Sequence, residues 1–96
     1  MDGKYSESRV FPGKGKYSDW ISANKFNNQG IKLAKQKKYK EAAQKFRQAV
    51  KIYGVDYTYH EHLGGALREV GSLGEAEKAT LRATQLAPWR WGPWYN

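Results

Sequence analysis

The sequence predicts an all-α protein made of two antiparallel helix-turn-helix units, a fragment of an α-solenoid, and three observations carry that expectation. Residues recur at a fixed interval: Gly30 returns as Gly64, Leu33 as Leu67, Ala42 as Ala76 and Ala49 as Ala83, each 34 positions on. A self-similar period of that length marks stacked helical repeats. Between Phe26 and Pro88, apolar residues mostly return every three or four positions, the spacing of one helix face. Gly54 and Pro88 then close the two units at the same offset.

Taken in order, residues 1–17 (MDGKYSESRVFPGKGKY) hold Gly3, Pro12, Gly13 and Gly15 amid scattered charge, with neither helical nor strand periodicity. They read as a basic, flexible N-terminal arm. Its apolar cluster, Val10-Phe11-Pro12, either pins the arm to the body or meets a partner. Ser18-Asp19 precede Trp20 and Ile21 as an N-cap does, placing the first helix from there to about Gln36. Trp20, Phe26, Gly30 and Leu33 share a face of it. Lys37-Lys38 form the connection, and the second helix runs from Tyr39 to about Ile52. Its stripe of Tyr39, Ala42, Ala43, Phe46, Ala49, Val50 and Tyr53 repeats at helical spacing and is a candidate core.

Asp56 is placed to cap the third helix, which carries Tyr59, Leu63, Ala66, Leu67 and Val70 before Gly71. Ser72 is placed to cap the fourth, with Glu75 as its capping-box partner; Leu73, Ala76, Ala79, Ala83 and Leu86 supply its apolar side, and Pro88 stops it. The units span about 23–56 and 57–88, with a helical extension from 18 and an aromatic tail over 89–96.

Composition bounds the chemistry. The chain is 40% hydrophobic and 27% charged, too apolar for a wholly disordered protein. Cysteine is absent, which excludes disulfides and thiolate metal sites. No secretory signal and no transmembrane run is visible, so a cytoplasmic location is the default expectation. The net charge of +8 is uneven: residues 1–54 carry thirteen Lys and Arg against four Asp and Glu, whereas residues 55–96 carry four against five. An acidic partner is therefore expected at the N-terminal half.

The register of these residues resembles the tetratricopeptide repeat, a helix-turn-helix with Trp, Leu, Gly and Tyr places in its first helix and Ala, Phe, Ala and Pro in its second. Phe26, Gln29, Gly30 and Leu33, then Ala42, Phe46, Ala49 and Gly54, take those places in the first unit. His60, Leu63, Gly64 and Leu67, then Ala76, Thr80, Ala83 and Pro88, take them in the second. Thr80 departs from the usual aromatic, which implies looser packing there. The resemblance implies close crossings of Gly30 with Ala42 and of Gly64 with Ala76. It also implies a concave face that holds an extended peptide or a partner helix. By place, that face is Asn24, Asn27, Ile31, Ala34 and Lys35, with Thr58, Glu61, Gly65, Arg68 and Glu69 as counterparts. The subtype that grips acidic chaperone C-termini needs Lys at Asn27 and Asn at Ile31, and this chain has neither.

Two further surfaces are candidates. Lys32, Lys37, Lys38, Lys40 and Arg47, with Lys35, Lys45 and Lys51, form a basic edge opposed within the segment by Glu41 alone. It is either a solvated face or a contact for an acidic protein, nucleic acid or anionic lipid. Trp89, Arg90, Trp91, Trp94 and Tyr95 make an aromatic tail, in which Trp94-Tyr95-Asn96 falls in register with the start of a third repeat. They either cap the last apolar face, dock into a partner or sit at a membrane interface. No metal, cofactor or catalytic residue is expected. His60 and His62 are two apart and point to different sides of a helix, and no phosphate-binding glycine loop is present. The sequence thus predicts a non-catalytic protein–protein interaction module, an adaptor or a subunit of a larger assembly. A nucleic-acid-binding module and a self-associating scaffold, stacked through the repeat end, are the alternatives.

Overall fold

The computed structural model describes residues 17–90, apart from the side chain of Arg90. The arm before Tyr17 and the tail residues Trp91, Trp94 and Tyr95 lie outside the described residues. Four helices follow one another, α1 (Tyr17–Lys35), α2 (Tyr39–Ile52), α3 (Tyr57–Val70) and α4 (Leu73–Leu86), then a 3-10 turn at Pro88–Arg90. The described residues contain no strand. α1 pairs antiparallel with α2 and α3 with α4, and α2 also packs on α3. α1 touches α3 only lightly.

The 34-residue period is present in the backbone as well as in the side chains. α2 and α4 begin and end at equivalent positions, and the residues that leave them match: Tyr53 has φ −145° and ψ 78°, Ala87 φ −136° and ψ 63°. Each returns its N–H to the carbonyl four residues back, at Ala49 and Ala83. The turns inside the two hairpins also agree. At the end of α3, Gly71 is left-handed at φ 97°, with its N–H bonded to Arg68 O at 3.1 Å and the Ser72 N–H to Leu67 O at 2.9 Å. That is the Schellman closure, which satisfies carbonyls a helix end leaves open. Lys37, 34 residues earlier, makes the same turn at φ 64°, with Lys38 N–H on Leu33 O at 2.9 Å. A lysine side chain in that conformation costs roughly 1–2 kcal/mol that glycine avoids.

Two expected caps are corrected. Asp56 does cap α3, its carboxylate accepting the Thr58 N–H at 2.9 Å. Ser72 makes no side-chain cap, and the capping box with Glu75 does not form. The Ser72 N–H that Glu75 would have met is already spent on Leu67, and the Glu75 carboxylate lies 2.7 Å from Arg47 instead. Ser18 and Asp19 are also not caps. α1 already includes Tyr17, and Asp19 sits in its first turn, where a carboxylate favours the helix dipole.

One apolar cluster runs through Ala42, Ala43, Phe46, Leu63, Ala66 and Leu67 to Ala76 and Ala79 of α4. A second, built from Ala23, Ala49, Tyr53 and Tyr59, closes the other end with Trp20 and Phe26 against it. At the crossings, the nearest neighbour of Gly30 is the Phe46 ring rather than Ala42. A Cβ on Gly30 would stand 2.5 Å from Phe46 Cε1. A Cβ on Gly64 would stand 2.8 Å from Thr80 Oγ1 and 3.4 Å from the Ala76 carbonyl. Both glycines therefore lie under the residue sixteen positions on, a ring in the first hairpin and a hydroxyl in the second. Thr80 is half-buried where Phe46 is buried. Among the described residues, no helix is long and apolar enough to cross a membrane.

Candidate interaction groove

Because α1 and α3 are held side by side mainly through α2, a groove opens between them, with a volume of about 440 Å³. Its floor is Phe46 and Ala66, both buried. Ile31, Ala34 and Lys35 form the α1 wall; Glu61, Gly65 and Glu69 form the α3 wall, at i, i+4 and i+8 of one helix face. Tyr39 and His62 complete the lining. One wall thus ends in a cation and the other carries two carboxylates, over an apolar base.

The structure brings Ile31, Lys35 and Glu61 of the expected concave face together here, with Ala34, Gly65 and Glu69. It does not bring Asn24, Asn27, Thr58 or Arg68 into the lining. Asn27 is only 5% exposed, and its amide oxygen accepts a hydrogen bond from His62 Nδ1 at 2.9 Å, which ties α1 to α3 under the groove. Asn24 and Thr58 are half-buried. Arg68 is exposed and reaches Thr80 Oγ1 at 3.4 Å, a long contact across to α4. The period explains this. Ala34 faces α3, so its counterpart Arg68 faces the side of α3 on which no further described helix stands.

His62 is the lining residue that sequence reasoning missed; Tyr39, expected on the buried stripe of α2, is only half-buried and lines the groove. Asn27 and His62 are 35 residues apart, one more than the period, so neighbouring first helices carry them at nearly the same height. That spacing was the available signal. The His62 ring also lies 5.3 Å from that of Phe46. Burial pushes its pKa below 6.5, against the opposing pull of Glu61 and Asp56. His60 points elsewhere and is buried, donating from Nε2 to the Gly54 carbonyl at 2.9 Å. Beside Asp56, the Tyr59 hydroxyl is buried without a hydrogen-bond partner among the described residues, and burial, then Asp56 and Tyr53, push its pKa up to about 12. Among the described residues, no group of three His, Asp or Glu is placed to hold a metal ion.

The basic edge divides. Arg47 is in an ion pair with Glu75, and Lys45 lies 5.4 Å from the centre of the Phe26 ring. Lys32, Lys37, Lys38, Lys40 and Lys51 are exposed, and among the described residues no ion pair holds any of them. Beside Arg47 and Lys51, Gln44 and Gln48 line a shallow depression of about 390 Å³ on the outer side of α2. Trp89 is 64% exposed, with its ring edge-on to Tyr57 at 6.0 Å. On the open face of α4, the counterparts of Ala43 and Val50 are Glu77 and Thr84.

Set against protein-family models, characterised proteins and solved structures, the chain gives no significant match. The class its own coordinates define is an all-α fold of two tightly packed antiparallel helix pairs, a helical-repeat-like architecture.

Proposed function

We propose that this chain is a non-catalytic, tetratricopeptide-like protein–protein interaction module, an adaptor or assembly subunit that holds a partner segment between α1 and α3. The observation that carries this is the groove itself, an apolar floor between one basic and one acidic wall. Concave, largely apolar sites with a few convergent polar groups are where proteins hold ligands. Placing a photo-crosslinking residue at Ile31 and, separately, at Gln48 tests it. Crosslinks to a protein partner at Ile31 and not at Gln48 are expected; the reverse pattern contradicts the groove.

A second reading has its own support. Lys32, Lys37, Lys38, Lys40 and Lys51 are exposed cations with no ion pair among the described residues, a surface suited to phosphates. If nucleic acid is the partner, labelled RNA or DNA binds with an affinity that falls steeply as salt rises, and Lys-to-Gln changes reduce that slope. Self-stacking through α4 is the weaker alternative, because it would bury Glu77 where the interface of the first hairpin has Ala43.

A further inference from the structure

Gly64 and Gly65 are adjacent in α3 and differ in what they touch. Packing explains Gly64, whose Cβ would meet Thr80 Oγ1 at 2.8 Å. A Cβ on Gly65 would find nothing within 4 Å. Glycine inside a helix is among the least stabilising choices, and at position 65 no neighbour among the described residues requires it. Its effect is to leave space on the groove wall midway between two carboxylates, since Glu61, Gly65 and Glu69 all line the groove one turn apart.

The spacing of that row has a specific counterpart. Four residues along a helix rise about 6 Å. In an extended chain, side chains on the same side recur every second residue, about 6.8 Å apart. Residues i, i+2 and i+4 of an extended peptide laid along α3 therefore come opposite Glu61, Gly65 and Glu69, whichever way the peptide runs.

We propose that the groove takes an extended peptide with Lys or Arg at i and i+4 and an apolar residue at i+2. One cation meets the exposed Glu69 and the other joins Glu61, which already interacts within the chain, and the apolar side chain fills the space over Gly65, above Phe46 and Ala66. This rests on the groove being the interaction surface and adds the class of segment it accepts. The residues between face α1, where Lys35 favours an acidic side chain. The net charge of +8 opposes such a ligand at a distance. Screening over about 8 Å at physiological salt leaves the carboxylates in contact to decide.

The experiment is selection of a random peptide library against the full chain and against its Gly65→Leu and Glu69→Lys variants. Wild-type protein is expected to enrich the two-cation pattern around an apolar residue. Gly65→Leu is expected to weaken binding by about tenfold or more, as occupying an apolar subsite does, and Glu69→Lys to exchange one cation for an acidic residue. Peptides that need Gly65 but lack the cationic pattern overturn the specificity and leave the groove standing. Binding indifferent to Gly65→Leu, or no enrichment at all, overturns both. Gly65→Ala serves as the folding control. The thermal midpoint of this variant is expected to rise by a few degrees; a fall would assign the glycine to packing and overturn the proposal.

Discussion

The two hairpins share one backbone plan and fill it differently. In the first, the glycine of α1 lies under a buried phenylalanine and the turn is made by a lysine at positive φ. In the second, the glycine of α3 lies under a half-buried threonine and the turn is made by glycine. The face of α2 that meets α3 carries Ala43 and Val50, whereas the equivalent face of α4 carries Glu77 and Thr84. The period thus fixes where helices cross, while the residue at each crossing decides whether that face is interior or surface. The first hairpin is packed as a neighbour to the second, whereas α4 of the second exposes Leu73 and Leu81 as well as Glu77.

Substitutions at matched positions sharpen the contrast. The largest difference is expected at 46 and 80. Phe46→Ala removes a buried ring and should cost about 3–5 kcal/mol in denaturant unfolding, whereas Thr80→Ala should cost less than about 1 kcal/mol, the typical worth of a surface change with a weak polar contact. Equal losses would mean the two crossings are packed alike. Next come the glycines. In Gly30→Ala the new methyl meets a ring with nowhere to move, a cost of about 1–3 kcal/mol by overpacking. In Gly64→Ala the Thr80 hydroxyl can turn aside, so the loss should be the smaller of the two by the same measurement.

The turns reverse the sign. Lys37→Gly should stabilise the domain by about 1 kcal/mol, because it relieves a side chain held in the left-handed region. Gly71→Ala should destabilise it by a similar amount. If thermal melts show no gain for Lys37→Gly, the turn geometry assigned to the first hairpin is wrong.

The smallest effect is a pH dependence. His62 is held neutral in the fold, with its pKa pushed below 6.5 by burial, so the unfolded chain binds more protons as acid is added. The His62 contribution to stability is therefore complete above pH 6.5 and is lost as pH falls from there through the lowered folded value. His62→Gln should flatten the stability profile over that window. A profile unchanged by the substitution would remove His62 from the account.

The helices and their order were legible because the period of 34 repeats small residues that only a close crossing needs, and because Asp56, Gly71 and Pro88 act through local chemistry. The capping box does not form because the donor it needs is claimed by the preceding turn, a competition that spacing alone does not reveal. The groove was legible only in part. Ile31, Lys35 and Glu61 follow from their places in the repeat. Asn27 was assigned outward because amides suit peptide backbones, yet a histidine on the next first helix stands where it can bond that amide. Arg68 shares the register position of Ala34, but a register position lines a groove only where another helix stands opposite. Glu75, which neutralises Arg47, comes from 28 residues away and could not be paired from the basic segment itself.

The central claim is that partners are held between α1 and α3 rather than on the outer face of α2. Chemical-shift mapping of the full chain, titrated with a bound peptide or partner, tests it most directly. Perturbations gathered on Ile31, Ala34, Gly65 and Glu69 are the expected result, and perturbations confined to Lys40, Gln48 and Lys51 would contradict it.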